Sequence, residues 1–574
     1  MKELPLYYVR PITNLKDMLE SSADIYQDKP AFLVKETEGG KYSQISFRKF
    51  KNDVDALGTA LIELGLKDKR IALIGETRYE WALSYLSVTN GVGIIVPLDK
   101  ELPQSEIENL LQRSGASAII FSGKFSEQMN NIAGNLLSPS LLISMDASED
   151  RNNRLSLKKI ISRGYELIGK GNRQFIDAKL DNDSMSVLLF TSGTTASSKA
   201  VMLSHHNLAS NLMAMSSMLL INDTDIFLSI LPIHHTYECT CGLFCPLYRG
   251  ATVAVCEGLR HIPKNLQESK ATVMLGVPLI FETMYKRVWD QASKKPGLEK
   301  KLRFALKLSS LLKHLGIDLS RKLFAQIHES FGGHVRLFIS GAAGIDPSIA
   351  KGFRDFGIPF VQGYGLTECS PIVALNRDVE YKNDAAGIPL PNLEIRIIDA
   401  NEEGVGEIAV KGPSVMLGYY KDEENTAKVL KDGWFFTGDL GFIDKDRFLH
   451  ITGRKKNVII TKNGKNVYPE EIESLLNKSI YILESMVYGK KDDNSGDILL
   501  SAIIVPNMDK IRELNGESAN SELAYDLIKK EIRMVNSMLV NYKHIKDFNI
   551  RDEEFSKTTT KKIKRYVESN KLHK

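Results

Sequence analysis

The chain has 574 residues, too many for one hydrophobic core, and its 43% hydrophobic and 25% charged content excludes a disordered or fibrous class. Its 75 basic and 71 acidic side chains leave a net charge of +4, which gives no general attraction to nucleic acid, so any polyanion must be met locally. The opening MKELPLYYVRPITN lacks the apolar core of a signal peptide, and no apolar run reaches the roughly 18 residues that a membrane span needs, so the cytoplasm is the expected compartment.

Taken in order, residues 1 to about 60 read as helical. Arg70–Ile74, Gly93–Val96 and Ser117–Phe121 are short apolar runs separated by helical spacing around Tyr79–Val88 and Gln104–Leu111. That alternation predicts a parallel sheet covered by helices. Residues 146 to 175 are polar and basic and read as a surface excursion. The alternation resumes with strands at Val187–Phe190, Ile226–Ile230, Ala251–Val255, Thr272–Gly276 and Val335–Ser340, interrupted by a helical excursion from about Leu298 to Ser330. Ligands of such sheets bind where the strands end.

After Pro371 the texture changes to short β pieces with Gly/Asp turns, which predicts a small barrel-like unit. A boundary is placed near Gly453, followed by strand Val458–Thr461, helix Glu470–Asn477, strands Met486–Tyr488 and Leu500–Val505, and helix Glu522–Met538. Four of the five cysteines, Cys239, Cys241, Cys245 and Cys256, are crowded together, but C-x-C-x3-C-x10-C matches no paired zinc pattern. They are expected as reduced, mostly buried thiols.

One stretch carries chemistry of its own. Phe190 to Ser204, FTSGTTASSKAVMLS, empties an apolar strand into a loop of hydroxyls and backbone N–H groups, the means by which proteins hold phosphate. Gly193 has no second glycine before Lys199, so the stretch is neither a Walker loop nor G-x-G-x-x-G, and by itself it could be an ordinary solvated connection. Gly363-Tyr364-Gly365-Leu366-Thr367-Glu368 offers an aromatic face for a purine and a hydroxyl and carboxylate for a phosphate and its magnesium. Trp434 to Asp439 ends in a carboxylate suited to the two hydroxyls of a ribose. Either segment alone would pass for a turn. No G-x-S-x-G elbow is present, and His234-His235 lacks metal spacing, so hydrolase readings have no support.

In order and spacing the chain resembles the adenylate-forming family of acyl-CoA synthetases, aryl-CoA ligases, luciferases and peptide-synthetase adenylation domains, from about Ile12 to Arg565. The motifs are FTSGTTASSKAVMLSH, VQGYGLTECSP, GWFFTGDLG, GRKKNVIITKNGKNVYPEEIE and SKTTTKKIKR. LPIHHTYE, aligning His235, Tyr237 and Glu238, and the opening YYVRPITNLKDMLESSADIYQDKPAF are similar to the long-chain fatty acyl branch.

The resemblance implies an α/β fold: a large N-terminal domain, 1–452, of helix-covered, mostly parallel sheets with a β-barrel-like part at about 372–452, and a small mobile α+β C-terminal domain, 453–574. It implies that Thr191, Ser192, Gly193, Thr194, Thr195 and Lys199 hold the β- and γ-phosphates of ATP, with Thr194 and Glu368 on Mg²⁺. It places Tyr364 and Gly365 at adenine with the backbone of Gly341 and Ala342, Thr367 on the α-phosphate, and Asp439 and Arg454 on the ribose. Lys562 is implied as the catalytic lysine reaching from the C-terminal domain, Lys456 as the hinge, Gly464 beside the thiol tunnel, and His235 beside the reacting carboxylate.

The implied reaction is ATP-dependent activation of a medium- to long-chain fatty acid to acyl-AMP, then thioester formation with CoA, with release of pyrophosphate and AMP. Transfer to an acyl carrier protein, or a degenerate acyl-nucleotide-binding regulatory protein, are the alternatives. Transient contact with a membrane follows from the substrate; no nucleic-acid partner is expected, and the oligomeric state is open. The chain departs from the family pattern at Ala196, Ser198 and Ala200, where Gly, Pro and Gly are usual, and at Lys561, where glycine precedes the catalytic lysine.

Overall fold

A computed structural model describes residues 5–135, 139–151, 154–191, 198–460, 465–491, 498–516, 520–557 and 563–572. The short apolar runs become the inner strands of two large sheets. In the first, eight strands run in the order Gly418–Tyr419, Lys199–Ser204, Met185–Thr191, Gly93–Pro97, Lys69–Ile74, Ala118–Phe121, Leu141–Ser144 and Arg154–Ser156. The last six are parallel. Ile71 to Ile74 and Ala118 to Phe121 are fully buried, which is why they read as continuous rather than alternating apolar runs: helices cover both faces of such a sheet.

The second sheet has nine strands, with Phe360–Gly365, Leu337–Ser340, Val273–Gly276, Ile226–Ser229, Thr252–Val255 and Pro30–Lys35 parallel at its centre. One side of it is sealed by interlocked rings, Phe281 against Phe338 at 5.2 Å and Phe353 stacked on Phe360 at 5.6 Å. The expected strands between Arg70 and Ser340 are present, and the excursion is helical, as Leu298–His314, Ser320–Leu323 and Ala325–Ser330.

Two expectations are corrected. The first 60 residues are not wholly helical: between helices Leu15–Tyr26 and Phe47–Leu61 lies the antiparallel pair Pro30–Lys35 and Tyr42–Ser46. It closes the edge of the second sheet through a parallel contact with Thr252–Val255. Phe32 is buried there among aromatic rings, Phe50 at 4.8 Å and Tyr79 at 5.4 Å. Residues 146 to 175 are likewise not a mere surface excursion. Arg154–Ser156 extends the first sheet, and helix Leu157–Gly169 packs so closely on helix Phe47–Leu61 that a Cβ on Gly164 would stand 1.8 Å from the Ala56 carbonyl oxygen. A few apolar anchors, Leu157, Ile160 and Phe175, achieve this among many charges.

Downstream, Glu394–Ile398, Gly406–Lys411, Leu430–Lys431, Trp434–Ile443 and Leu449–Arg454 form a five-stranded antiparallel sheet. Register shifts at Glu407/Ala409 and at Leu440/Gly441 bend its long strand. After Arg454 the chain enters a three-stranded sheet, Ile482–Lys491, Ile498–Pro506 and Asp547–Ile550, with helices Pro469–Leu476 and Ser521–Ser537. Its core is its own, built on Ile472, Leu476, Val487, Ile504 and Ile528. Among the described residues, no helix is long and apolar enough to cross a membrane.

Candidate active site

Strand ends from all three N-terminal sheets open on one cleft of about 2890 Å³, whose far wall is made by Glu470, Lys478, Ile563, Lys564 and Arg565. Thr191, Lys199, His235, Gly341, Ala342, Tyr364, Gly365, Thr367, Glu368, Asp439, Arg454 and Lys456 all line it. Residues that lie up to 265 positions apart, Thr191 and Lys456, thus share one space. Ser192, Gly193, Thr194, Thr195, Gly464 and Lys562 lie outside the described residues, as do Ala196 and Lys561. Ile563 and Lys564, next to Lys562, face the cleft.

Asp439 stands opposite Arg454 on the paired strands Trp434–Ile443 and Leu449–Arg454. Its carboxylate is held at both oxygens: Arg454 Nε lies 2.7 Å from Oδ1, and the Tyr364 hydroxyl donates to Oδ2 at 2.6 Å. Burial, and then the Asp439 charge, push the Tyr364 phenol well above its ordinary range, so it stays a donor. A carboxylate fixed between two donors is aimed before any ligand arrives.

The second cluster turns on a residue that motif reading did not single out. Tyr419, opposite Val201 on the edge pair Gly418–Tyr419 and Lys199–Ser204, donates its hydroxyl to Glu368 Oε1 at 3.0 Å and accepts from Lys199 Nζ at 3.3 Å. Its ring lies under the same ammonium, 4.4 Å from the centroid, a cation–π contact. Its phenol is raised by burial first and by Glu368 next. Nothing in the local sequence signals this role; it comes from strand pairing across 220 residues.

Two of the departures from the family pattern, Ser198 and Ala200, lie among the described residues. Ser198 accepts from Arg113 Nη1 at its hydroxyl, 2.8 Å, and from Nη2 at its carbonyl, 2.6 Å, while Arg113 lies over the Phe190 ring at 5.2 Å. Ala200 is outside the loop, in ladder register with Phe190 and buried. A side chain there packs, and a Cβ narrows the conformations that the unfolded chain can adopt.

Also on the cleft wall, Gly341 has no room for a side chain: a Cβ would stand 2.7 Å from Cζ of Tyr237. Tyr237 props this turn from beneath, donating to the Ile339 carbonyl at 3.1 Å. Ala342 takes φ +70°, an uncommon backbone for a residue with a Cβ. Thr367 meets Thr236, hydroxyl to hydroxyl at 3.4 Å. Lys456 is lowered to about 8, by desolvation first and then by Arg454 and Lys199.

Inward, the cleft turns apolar, lined by Met215, Leu219, Phe227, Cys241, Cys245 and Ile339. The thiols there are buried and raised, Cys245 to about 11, by burial. All five cysteines are free, and no metal-holding group of His, Cys, Asp or Glu occurs among the described residues. His234 is buried and lowered to about 4 by desolvation. Glu238, four residues on, is raised to about 8 by burial, accepting from Ser229 at one oxygen and leaving the other without a hydrogen bond.

Thr191 and Lys199, the anchored carboxylate of Asp439 and an apolar lining thus share one cleft, and residues 19–420 match the model of the family described as AMP-binding enzyme. The chain belongs to the AMP-binding enzyme family. Among curated relatives of this AMP-binding enzyme, fatty acyl-CoA synthetase B of Dictyostelium discoideum is 28% identical, covering 91% of this chain and 81% of that protein. Long-chain-fatty-acid–CoA ligase 1 of Homo sapiens is 29% identical, covering 88% and 75%. Among solved structures, the ATP-bound RpMatB-BxBclM chimera B1 superimposes with TM-score 0.75 at 25% identity, covering 98% and 99%. The anthranilate CoA ligase AuaEII in complex with anthranoyl-AMP gives 0.76 at 20% identity, covering 100% and 99%, and shares the fold.

Proposed function

We propose that the chain is an AMP-forming acyl-CoA synthetase for medium- to long-chain fatty acids. The observation that carries this reading is the single cleft in which an anchored carboxylate, Asp439, and the Lys199–Tyr419–Glu368 cluster meet an apolar inner chamber. The long-chain fatty acyl ligases among its relatives support the substrate class.

In this reading the acid lies with its chain in the inner chamber and its carboxylate near His235. A carboxylate oxygen attacks the α-phosphorus of ATP, the bond to the bridging oxygen breaks, and pyrophosphate leaves with its electron pair. Two anions must approach each other, so cations decide the barrier. Lys199 holds the leaving phosphates together with Thr191 to Thr195, Thr367 takes the α-phosphate, Asp439 and Arg454 fix the ribose, and Tyr364 with Gly365 and the Gly341–Ala342 turn hold adenine. Lys562 reaches the α-phosphate and the carboxylate from the C-terminal part. The hard oxygens of Glu368 suit Mg²⁺, with Thr194 as a second ligand; bound, the ion would neutralise phosphate charge.

In the second step the CoA thiolate attacks the acyl-adenylate carbonyl, the thioester forms and AMP departs. The same reading divides the chain into 1–452 and 453–574, with Lys456 at the hinge and Gly464 beside the incoming thiol. A bilayer-soluble substrate brings the enzyme to a membrane periphery from the cytoplasm. ATP–pyrophosphate exchange over acids from acetate to oleate, with aryl acids alongside, tests the first step. Exchange that depends on a medium- or long-chain acid is expected, and absence of exchange with every acid would overturn the reading. Loading of CoA against a holo-acyl carrier protein then identifies the acceptor.

A further inference from the structure

Helix Leu298–His314 carries a stripe of large apolar side chains that the fold does not cover. Phe304 is 68% exposed, Leu311 61% and Leu315, just past the helix end, 68%, and Leu308 lies between them. With 3.6 residues per turn, these positions share one face. Lys300 and Lys307 fall on one border of that face and Lys301 on the other, all exposed. The opposite side is committed to the protein: Ser309 is buried, and Lys313 donates to the Arg354 carbonyl at 3.1 Å.

The charge is concentrated here. Residues 298–323 carry seven Lys and Arg against two Asp and Glu, a net +5 within a chain whose total is only +4. An apolar stripe of this size is unusual on a surface that meets only water. With lysines on both borders it has the form of an interfacial helix, whose apolar side chains enter the acyl boundary while the ammonium groups reach anionic headgroups. The helix is also joined to the active-site cleft. Trp289, on the neighbouring helix Pro278–Ser293, lines the cleft and lies under Arg303, 4.9 Å from the centroid.

We propose that the Phe304–Leu311–Leu315 face, bordered by Lys300, Lys301 and Lys307, docks this chain on an anionic phospholipid bilayer. The inference goes beyond the proposed activity by naming the surface; only its use, drawing a fatty acid from the membrane, rests on that activity.

Co-sedimentation of the full chain with vesicles tests it. Binding to equimolar phosphatidylglycerol and phosphatidylcholine is expected, at least about tenfold tighter than to phosphatidylcholine alone and weakened by salt. Phe304→Asp with Leu311→Asp should lower the partition coefficient by at least about tenfold. Lys300→Glu, Lys301→Glu and Lys307→Glu together should do so on anionic vesicles. Both variants should keep acid-dependent ATP–pyrophosphate exchange, which reports an intact fold. Failure of the wild-type chain to bind either vesicle, or equal binding by the variants, overturns the docking. So does a concentration-dependent dimer of the wild type that the apolar variant abolishes without any vesicle binding, since the face would then serve a second copy. If vesicles bind but exchange is absent with every acid, the activity fails and the docking stands.

Discussion

On one side of the cleft, Asp439, Arg454, Lys199 and Glu368 are each ion-paired or hydrogen-bonded, Tyr364 and Tyr419 linking them across strands that are distant in sequence. Along the segment from His234 to Glu238, by contrast, both residues are buried and pushed toward their neutral forms by desolvation. Ionisable groups are thus held by partners in the first region and pushed toward neutrality by burial in the second. Desolvation makes the difference: an unpaired buried charge would cost several kcal/mol.

The largest effect is expected where charge meets the reacting atoms. Lys562→Ala should lower adenylation by about 10²-fold or more, the scale for losing a preorganised charge, yet spare thioester formation from supplied acyl-adenylate. Single-turnover assays of the two half-reactions separate these, and equal loss of both would break the division of labour. Next comes Asp439→Ala. Each hydrogen bond to a charged group contributes about 1.5–3 kcal/mol, so kcat/KM for ATP should fall roughly 10- to 100-fold, chiefly through KM. A fall in kcat at constant KM would show that the carboxylate acts in the chemistry rather than in holding the nucleoside. Tyr419→Phe keeps the ring beneath Lys199 and removes only the hydroxyl that bridges it to Glu368. A loss of about 2- to 10-fold in the adenylation rate is expected, and an unchanged rate would mean that Lys199 and Glu368 need no link.

What the sequence disclosed, and what it withheld, follows the same physics. Runs such as Ile71–Ile74 and Val273–Gly276 were legible because strands buried on both faces must be apolar throughout. The site segments stood out because each packs hydroxyls, carboxylates or aromatics into a few residues, and their described members reach one cleft. Tyr419 was not, since its role arises from pairing with Lys199–Ser204, a long-range register that no local pattern encodes. The helix Leu157–Gly169 was hidden because its few anchors, Leu157, Ile160 and the nearby Phe175, are diluted among charges. The Pro30–Lys35 hairpin was masked by the strong helices on either side. Ser198 looked like the loss of a loop proline, yet its contacts with Arg113 show a different way of fixing the same backbone.

The smallest effect concerns the buried carboxyl of Glu238. Glu238 rises from 4.5 to about 8 on folding, because burial penalises its carboxylate. The folded chain therefore holds a proton that the unfolded chain releases above about 4.5, and the associated stability is complete below that pH and lost as pH rises through about 8. His234 and His205 act in the opposite direction. Both fall from 6.5 to about 4 by desolvation, so their contribution is present above about 6.5 and lost as pH falls toward 4. Glu238→Gln keeps the size and neutrality of the protonated acid and removes the proton linkage. Its thermal midpoint should match that of the wild type near pH 5, where acid losses are common to both, and exceed it increasingly from pH 6 to 9. Parallel melting curves for the two proteins across that range would show that Glu238 is ionised in the folded chain, and that its buried surroundings tolerate charge after all.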